Sequence, residues 1–239
     1  MMQIVGLTVR FGGVTPLDGM TVTFGAGTCG LIGPNGAGKT TFFNVLSGFV
    51  RPQSGAVRAH GDDLLAMPHY KRARWGLRRT FQTEQAIEDL SVADNVALAH
   101  EHSHRGNRAS RRADVQSALE FVGLEVEPNV KVETLGARDR RLVEIARAVV
   151  GRPRVVLLDE PAAGLPDEET EHLGRIIRRI PEHTGALAVL VDHDMSLVSA
   201  CCETTAVLDF GKLIAAGPTA EVLRDDKVVR AYLGTEPVS

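Results

Sequence analysis

The chain has 239 residues, of which 44% are hydrophobic and 24% are charged, and its formal net charge is −3. This balance is ordinary for a globular protein, and the length allows a substantial hydrophobic core in a single domain of residues 1–239. The slightly acidic charge gives no general electrostatic reason to expect nucleic-acid binding. No apolar run is long enough to predict a membrane-spanning helix, so we expect any membrane role to come through a partner.

The three cysteines, Cys29, Cys201 and Cys202, provide no framework of disulfide bonds. The adjacent Cys201 and Cys202 are interpreted as small helix residues. Residues 1–10 lack the pattern of a secretory signal peptide. We therefore expect a reducing compartment in the cell interior.

The first predicted strands are residues 3–11 and 20–24, with Pro16 and the Asp18-Gly19 pair as turn residues between them. Phe11 ends the first of these strands. Strand propensity alone would explain it as a core aromatic residue. A binding role for Phe11 depends on the resemblance described below.

The sequence GPNGAGKTT matches the phosphate-loop pattern of a glycine, four residues and then Gly-Lys-Thr. A predicted apolar strand precedes it and a predicted helix begins at Lys39, whereas an ordinary glycine-rich turn needs neither. The glycines let successive backbone amides point at one anion, and the helix adds its positive dipole end. Lys39 is expected to reach the nucleotide phosphates, Thr40 to offer its hydroxyl to Mg²⁺, and Thr41 to contact phosphate. The nucleotide-binding candidates in this loop are Gly33, Pro34, Asn35, Gly36, Ala37, Gly38, Lys39, Thr40 and Thr41.

Three helices are predicted between about residues 85 and 150, and they suggest a helical lobe inserted between residues 1–84 and 151–239. Residues 100–112 carry several histidines and arginines within this lobe. We predict a solvated loop there, because no cysteine or carboxylate set accompanies the histidines at metal-ligand spacing.

The first helix of the lobe is predicted from Ser91 and Asp94, which form a capping box. Just before it, Ala86, Ile87 and Leu90 leave an apolar cluster in a predicted loop. Apolar residues spaced three and four apart predict the other two helices.

Carboxylates follow a fully apolar run at residues 155–158, which is suited to a central parallel strand. Asp159 and Glu160 at the end of such a strand are costly to bury without partners. Asp159 can hold Mg²⁺ through a water, and Glu160 can polarise a nucleophilic water as general base. His193 follows the next predicted central strand, where a lone histidine is usually structural.

Strands and helices alternate along most of the chain. This alternation predicts an α/β fold with a parallel sheet and with the phosphate loop at the carboxyl ends of its strands. One further predicted strand, residues 77–81, leads to Gln82, and a glutamine at a strand end is unremarkable by itself.

The chain resembles the nucleotide-binding subunits of ABC transporters along nearly its whole length. The resemblance lies in the order of residues after the phosphate loop, which is Gln82, then the Asp159-Glu160 pair, then His193. The resemblance is closer still to the ATP-binding subunits of branched-chain amino acid importers. It implies a P-loop NTPase fold, with a RecA-like core and its parallel sheet, an N-terminal antiparallel β subdomain and an inserted α-helical lobe. The motifs that carry it are RFGG at Arg10, GPNGAGKTTFFNVLSGF at Gly33, RTFQ at Arg79, RRLVEIARA at Arg140, LLDEPAAGL at Leu157, DHDM at Asp192 and RAYLG at Arg230.

The resemblance implies ATP and Mg²⁺ as cofactors and gives the nucleotide contacts. Phe11 would stack on adenine, Lys39 and Thr40 would hold phosphate and Mg²⁺, and Asp159 would support the metal.

The resemblance also implies the catalytic residues. Glu160 would be the general base, His193 would contact the γ-phosphate, and Gln82 would link metal and water to a membrane subunit. The apolar cluster before the first lobe helix would then lie against a coupling helix of that subunit. The implied location is the cytoplasmic face of the plasma membrane, with a substrate-binding protein as an indirect partner.

Two departures from the family pattern concern what this chain offers a second ATP-binding subunit. The family signature, usually Leu-Ser-Gly-Gly-Gln at a helix start, is degenerate because it lacks its serine and has Arg138 in place of a glycine. The aspartate expected after Gly164-Leu165 is Pro166. The signature positions here are Leu135, Gly136, Ala137, Arg138 and Asp139.

The chain's own site looks complete, so we predict a heterodimer. The site of Lys39 and Glu160 would use the intact signature of the second subunit, and the opposite site would be degenerate. An arginine at a helix start opposes the helix dipole, although Arg138 could instead reach the phosphate itself.

Other functions compatible with these motifs differ in cargo or in class. No motif touches cargo, so urea, short amides or an exported lipid are alternatives to amino acids. A soluble ABC ATPase acting on DNA or ribosomes is disfavoured, because the chain has neither sustained heptads nor a second phosphate loop. A nucleotide sensor without hydrolysis is disfavoured by Glu160 and His193, and a small GTPase by the lack of an Asn-Lys-x-Asp motif.

Overall fold

The computed structural model describes residues 1–82, 85–101 and 110–233. Within them the strands are β1 Met2–Phe11, β2 Val14–Phe24, β3 Thr28–Ile32, β4 Ser54–Ala59, β5 Asp62–Asp63, β6 Leu77–Arg79, β7 Val155–Asp159, β8 Leu187–Val191, β9 Thr204–Asp209 and β10 Lys212–Pro218. The helices are α1 Lys39–Ser47, α2 His69–Trp75, α3 Val92–Glu101, α4 Arg111–Val122, α5 Ala137–Val149, α6 Asp167–Thr184, α7 Met195–Cys201, α8 Thr219–Val222 and α9 Asp226–Leu233.

The central sheet has the strand order β10-β9-β3-β8-β7-β6. Its strands from β9 to β6 run parallel, and only the edge strand β10 is antiparallel, to β9. The carboxyl ends of the parallel strands therefore meet at one edge. The loops after β3, β7 and β8 all leave from that edge, which is where open α/β sheets bind ligands.

The strands β3, β7 and β8 at the centre of this sheet are buried on both faces, which explains why apolar and polar residues do not alternate along them. In β7, Val155 and Leu157 face a core that includes Phe42 and Phe43 of α1. Val156 and Leu158 face the opposite core, which contains side chains of α5 and α6. Helix α1 therefore lies on one face of the sheet and the lobe helices on the other.

A second, antiparallel sheet has the strand order β2-β1-β4-β5. Its buried side chains, Ile4 and Leu7 among them, join the same core as α1. This sheet therefore covers α1 from outside, and the Pro16 carbonyl of β2 lies against Gly38 of the phosphate loop.

The predicted turn between the first two strands is in the wrong place. Pro16, Asp18 and Gly19 lie inside β2, and the chain reverses at Gly12-Gly13 instead. β2 is an edge strand, where a proline costs no ladder hydrogen bond, and register shifts between β1 and β2 absorb the irregularity.

The helical lobe consists of α3, α4 and α5, which pack on one another. As predicted, Ser91 caps α3: its Oγ accepts from the Asp94 amide at 3.1 Å and donates to the Asp94 carboxylate at 2.7 Å. His100 was predicted in a solvated loop but lies buried in α3, with Nε2 2.8 Å from Asp114 Oδ2 of α4. The other histidines of that predicted loop, His102 and His104, lie outside the described residues.

None of the helices in the described part of the chain combines the length and the apolar character that a membrane crossing requires. The free cysteines Cys29, Cys201 and Cys202 are all buried, Cys201 at the last residue of α7 and Cys202 directly after it.

Candidate functional site

The loop between β3 and α1 requires glycine at two positions for steric reasons. Gly33 has φ of 151° and Gly38 has φ of 111°, in the region that L-residues rarely adopt. A Cβ on Gly33 would lie 2.1 Å from the Leu208 carbonyl oxygen, and one on Gly38 would lie 2.1 Å from the Pro16 carbonyl oxygen. The backbone is therefore tightly folded, with the strand–loop–helix context that the phosphate-loop motif needs.

Lys39 is held across this loop by its own backbone. Its side-chain Nζ donates to the carbonyl oxygens of Gly33 at 2.6 Å and Pro34 at 2.9 Å. Burial lowers the pKa of Lys39, and the nearby Glu160 and Asp159 carboxylates partly counteract this. The ammonium group thus lies beside the loop and close to the carboxylates that follow β7.

The N-terminus of α1 is open to an anion. Gly38 precedes the helix and supplies no side-chain cap, and no acidic residue occupies the first turn. The positive end of the helix dipole and its free amides are therefore not neutralised by the protein itself, which suits a bound phosphate. Thr40 is exposed in this first turn and Thr41 is half-buried beside it.

The tip of β7 carries the two carboxylates in different environments. Asp159 is buried, and its Oδ2 lies 2.7 Å from Arg79 Nη2. Glu160 has a positive φ of 46°, and its amide donates to the Val191 carbonyl oxygen at 2.8 Å. Such a strained backbone persists only when its surroundings fix it, and such positions cluster at functional sites.

The structure brings Glu160, Gln82 and His193 together. Gln82 Nε2 donates to Glu160 Oε2 at 2.9 Å, and His193 Nδ1 lies 3.9 Å from the same oxygen. Three loops of the sheet edge thus converge on one carboxylate, as expected if they act on one substrate. Asp192 supports the third loop by accepting from the amides of His193 at 2.8 Å and Asp194 at 3.0 Å.

Phe11 is 53% exposed at the end of β1. A core aromatic at this position would be buried, so that alternative is wrong. The exposed ring offers a flat apolar surface of the kind that stacks on a nucleobase.

The five predicted signature positions lie at the start of α5, on the lobe. Gly136 precedes the helix with φ of −70° and supplies no side-chain cap, and Ala137 is the first helical residue. Arg138 is exposed, and its Nη1 is 3.7 Å from the carboxylate of Asp139. Pro166 precedes α6 in the same way. Both altered segments therefore lie at helix starts.

Two residues of this site, Arg79 and Asn44, were not among the predicted site residues. Arg79 Nη1 donates to Asn44 Oδ1 of α1 at 2.7 Å while Nη2 binds Asp159. The sequence feature that could have identified Arg79 is its position at the end of a short predicted strand, which would lie beside the buried carboxylate of Asp159 in a parallel sheet. Such a carboxylate needs a cation, and Lys39 is directed elsewhere.

Two family models match the sequence. The model described as ABC transporter matches residues 17–163, and that described as Branched-chain amino acid ATP-binding cassette transporter matches residues 212–238. The high-affinity branched-chain amino acid transport ATP-binding protein BraF of Pseudomonas aeruginosa is 34% identical, over 98% of this chain and 98% of its own. The protein of the same description from Escherichia coli, LivG, is also 34% identical with the same coverage.

Solved structures agree in fold. An ATP-binding cassette of an ABC transporter in its ADP conformation has a TM-score of 0.84 and 26% identity, with 98% of both chains covered. A nucleotide-free cassette from an ABC transporter has a TM-score of 0.83 and 25% identity, with 98% of this chain and 99% of that one covered. These matches confirm the predicted fold class of a P-loop NTPase with a parallel core sheet and an antiparallel β subdomain. The chain therefore belongs to the ABC transporter family, as one of its ATP-binding cassettes.

Proposed function

We propose that this chain is the ATP-hydrolysing subunit of an importer for branched-chain or other hydrophobic amino acids. The end-to-end match to two proteins of that description supports the cargo, as does the family model at residues 212–238. A ribose import ATP-binding protein of Rubrobacter xylanophilus is 33% identical over 98% of this chain but only 47% of its own length. The full-length agreement with the amino acid proteins therefore favours amino acids over sugars.

The observation that carries the hydrolytic role is the convergence of Gln82 and His193 on Glu160, beside Lys39. In the proposed site, Lys39 and the loop amides bind the phosphates, and Phe11 stacks on adenine. Glu160 accepts a proton from the attacking water. Gln82 and His193 orient that carboxylate and align the water with the terminal phosphorus that it attacks.

The oxygen donors of the site fit Mg²⁺, which prefers such ligands and keeps several waters and phosphate oxygens. Thr40 supplies a hydroxyl, Gln82 an amide oxygen and Asp159 a carboxylate. The described residues contain no cluster of three or more His, Cys, Asp or Glu side chains that could hold a metal by itself. A metal carried in by the nucleotide suits this sparse donor set, and its chemistry would be to offset charge on the transferred phosphate.

The test of this assignment is Glu160→Gln in the intact transporter. Glutamine keeps the size of the side chain and removes its basicity, so we expect ATP to remain bound while turnover falls by about 10²- to 10⁴-fold. Radiolabelled phosphate release and the nucleotide retained after rapid desalting measure the two effects.

The control is Glu182→Gln, which changes an exposed carboxylate on α6 and should leave both values unchanged. An unchanged turnover rate in Glu160→Gln would remove this carboxylate from the mechanism.

The proposed partners include transmembrane permease subunits at the cytoplasmic face of the plasma membrane and, indirectly, a substrate-binding protein. Ile87 is 39% exposed, and Ala86 and Leu90 beside it are partly buried. An apolar patch of this kind, a few residues after Gln82 in the sequence, suits contact with a permease and would carry nucleotide state to it.

We further propose a heterodimer with a second ATP-binding subunit that has an intact signature. Gly136 offers no hydroxyl to a partner's nucleotide, and the exposed Arg138 places a positive charge in the first turn of α5, so both support a weakened contact from this chain. Purified alone, the chain should therefore turn ATP over slowly. Vigorous cooperative turnover that Arg138→Ala leaves undiminished would contradict the heterodimer.

A further inference from the structure

Arg79 occupies the centre of the space between the phosphate-loop helix and the tip of β7. Its side chain is 6% exposed, and the side chain of its ion-pair partner Asp159 is 8% exposed. Besides that carboxylate, the guanidinium reaches Asn44 Oδ1 at 2.7 Å and Ser47 Oγ at 3.4 Å. It also lies over the rings of Phe43 at 5.5 Å and Phe81 at 4.8 Å.

This arrangement neutralises the buried carboxylate of Asp159. A buried carboxylate is strongly unfavourable unless a cation pairs with it. The nearby ammonium of Lys39 donates to two loop carbonyls, and Arg79 is the cation within ion-pair distance of Asp159 among the described residues. Arg79 therefore occupies the electrostatic position toward Asp159 that a divalent cation would take when nucleotide is bound.

The inference rests on the proposed function, because it concerns what happens to this pair when Mg·ATP binds. We propose that Arg79 is a positioning residue that neutralises Asp159 in the nucleotide-free site and gives up part of that contact to Mg²⁺. The guanidinium keeps Asn44, Ser47 and the two rings as partners after the exchange, so it is not left buried without contacts.

The exchange has a structural consequence because of where Arg79 lies in the chain. It is the last residue of β6, three residues before Gln82, whose side chain donates to Glu160. Thr80 between them is also tied to β7, since its Oγ1 accepts from the Asp159 amide at 3.2 Å. A change at the Arg79–Asp159 contact therefore acts directly on the segment that carries Gln82 toward the lobe.

The test compares melting temperatures rather than activity. Parent and Arg79→Met proteins, both carrying Glu160→Gln to prevent hydrolysis, are melted in EDTA, in ATP with EDTA, and in ATP with Mg²⁺. The Mg²⁺-specific increment is the difference between the last two conditions. Removing the competing arginine should lower the melting temperature in EDTA and raise this increment by about 2–4 °C.

The opposite sign is expected if Arg79 only orients Asp159 for the metal, because its loss would then reduce the increment. A smaller or equal increment in Arg79→Met therefore overturns the proposal. If Arg79→Met does not fold, Arg79→Gln replaces it. Glutamine removes the competing charge but keeps an amide that can hydrogen-bond to Asn44 or Asp159, so the increment should again exceed that of the parent, and equality overturns the proposal.

The matched control is Arg154→Met. Arg154 also forms an ion pair, with Asp62 at 3.1 Å, and also lies over an aromatic ring, Trp75 at 5.1 Å, but it is remote from the site. Its Mg²⁺-specific increment should equal that of the parent. If the parent itself shows no increment, the proposed function fails with this inference; if the parent responds and Arg79→Met matches it, only the role of Arg79 fails.

Discussion

At the residue scale, the backbone of Glu160 explains how its carboxylate is presented. A positive φ of 46° turns the chain sharply after β7, and the hydrogen bond that the Glu160 backbone amide donates to the Val191 carbonyl oxygen holds that turn. A left-handed conformation costs a non-glycine residue about 1–3 kcal/mol, which the packed sheet on either side offsets. The strain directs the side chain across the strand ends toward Gln82 and His193.

The buried carboxyl group of Asp192 should reduce the stability of the folded protein at neutral pH. Burial raises the pKa of Asp192 above its usual 3.8, and the charge of Glu160 adds to the shift. The folded state therefore disfavours the ionised form of Asp192. The resulting loss of folding stability is complete above the folded-state pKa and disappears as the pH falls to the pKa of the unfolded state. Asp192→Asn should therefore be more stable than the wild type near neutral pH, with the gain shrinking toward about pH 4. Urea unfolding midpoints at several pH values measure this.

Asp194 is the matched control, because its pKa is shifted in the opposite direction and its ionised carboxylate should stabilise the fold. Its hydrogen bond with Ser196 lowers the pKa of Asp194, and it caps α7. The stability it contributes is present above the unfolded pKa and lost as the pH falls through the folded value. Asp194→Asn should thus lose stability at neutral pH. A gain in Asp194→Asn, or a loss in Asp192→Asn, would contradict these assignments.

At the element scale, the segment that carries Gln82 is fixed to an element at each end. Arg79 ties its start to α1 and β7, as described above. At the other end, the Gln85 amide donates to Glu144 Oε1 at 2.6 Å, and Arg147 of α5 donates to the Gln85 carbonyl oxygen. These contacts tie Gln85 to the lobe helix α5, while Arg79 is tied to α1 and β7 of the core.

The buried pair of Arg141 and Glu144, 2.7 Å apart, should be important for stability. Their side chains are 5% and 3% exposed. Glu144→Ala removes this carboxylate from a buried guanidinium and also removes the Gln85 contact, so we expect a loss of about 3–5 kcal/mol. Urea denaturation of the full chain gives the free energy of unfolding.

The control for that change is a surface pair, Lys131 and Glu133, whose atoms are 3.3 Å apart and whose side chains are 54% and 47% exposed. Glu133→Ala should cost only about 0–1 kcal/mol. Equal losses of unfolding free energy in Glu144→Ala and Glu133→Ala would mean that burial does not determine how much the Arg141–Glu144 pair contributes to stability.

Elements with a strong local pattern could be predicted from sequence, and those fixed by neighbours could not. The apolar runs of β7 and β8 and the capping box of α3 have causes within a few residues. The path of β2 through Pro16 could not be predicted, because a proline is acceptable only where the strand is at an edge, and edge position is a property of the sheet. The contacts of Arg79 could not be predicted for a similar reason: Asn44 and Asp159 are distant in sequence and meet only in the fold.

At the scale of the whole molecule, the described residues place the two proposed sets of nucleotide contacts in different parts of the fold. The first, around Lys39 and Glu160, lies at the carboxyl edge of the central sheet. The second lies on the lobe at the start of α5, where Gly136 and Arg138 replace the usual serine and glycine. The domain boundaries near residues 85 and 150 stay predictions.

Restoring the signature should therefore increase ATP turnover by the chain alone. Gly136→Ser combined with Arg138→Gly supplies a hydroxyl at the helix start and removes the opposing charge. An aligned donor at developing charge is worth about 10²–10³ in rate, so we expect a rise of roughly tenfold or more in steady-state phosphate release. The serine cap adds a few tenths of a kcal/mol and the glycine costs up to about 1 kcal/mol, so the fold should be retained.

The control for this change is Arg112→Gly, which makes the same substitution at the second residue of α4, away from the signature. It should leave turnover unchanged. No rise in the restored protein would mean that the altered signature is not what limits the isolated chain.

The most direct measurement for the account is a structure of the Glu160→Gln protein with Mg·ATP. We predict that Lys39 Nζ leaves the carbonyl oxygens of Gly33 and Pro34 and binds the terminal phosphates, with residue 160 facing the last phosphorus. A nucleotide seated elsewhere, with Lys39 still bound to those two carbonyls, would contradict the account.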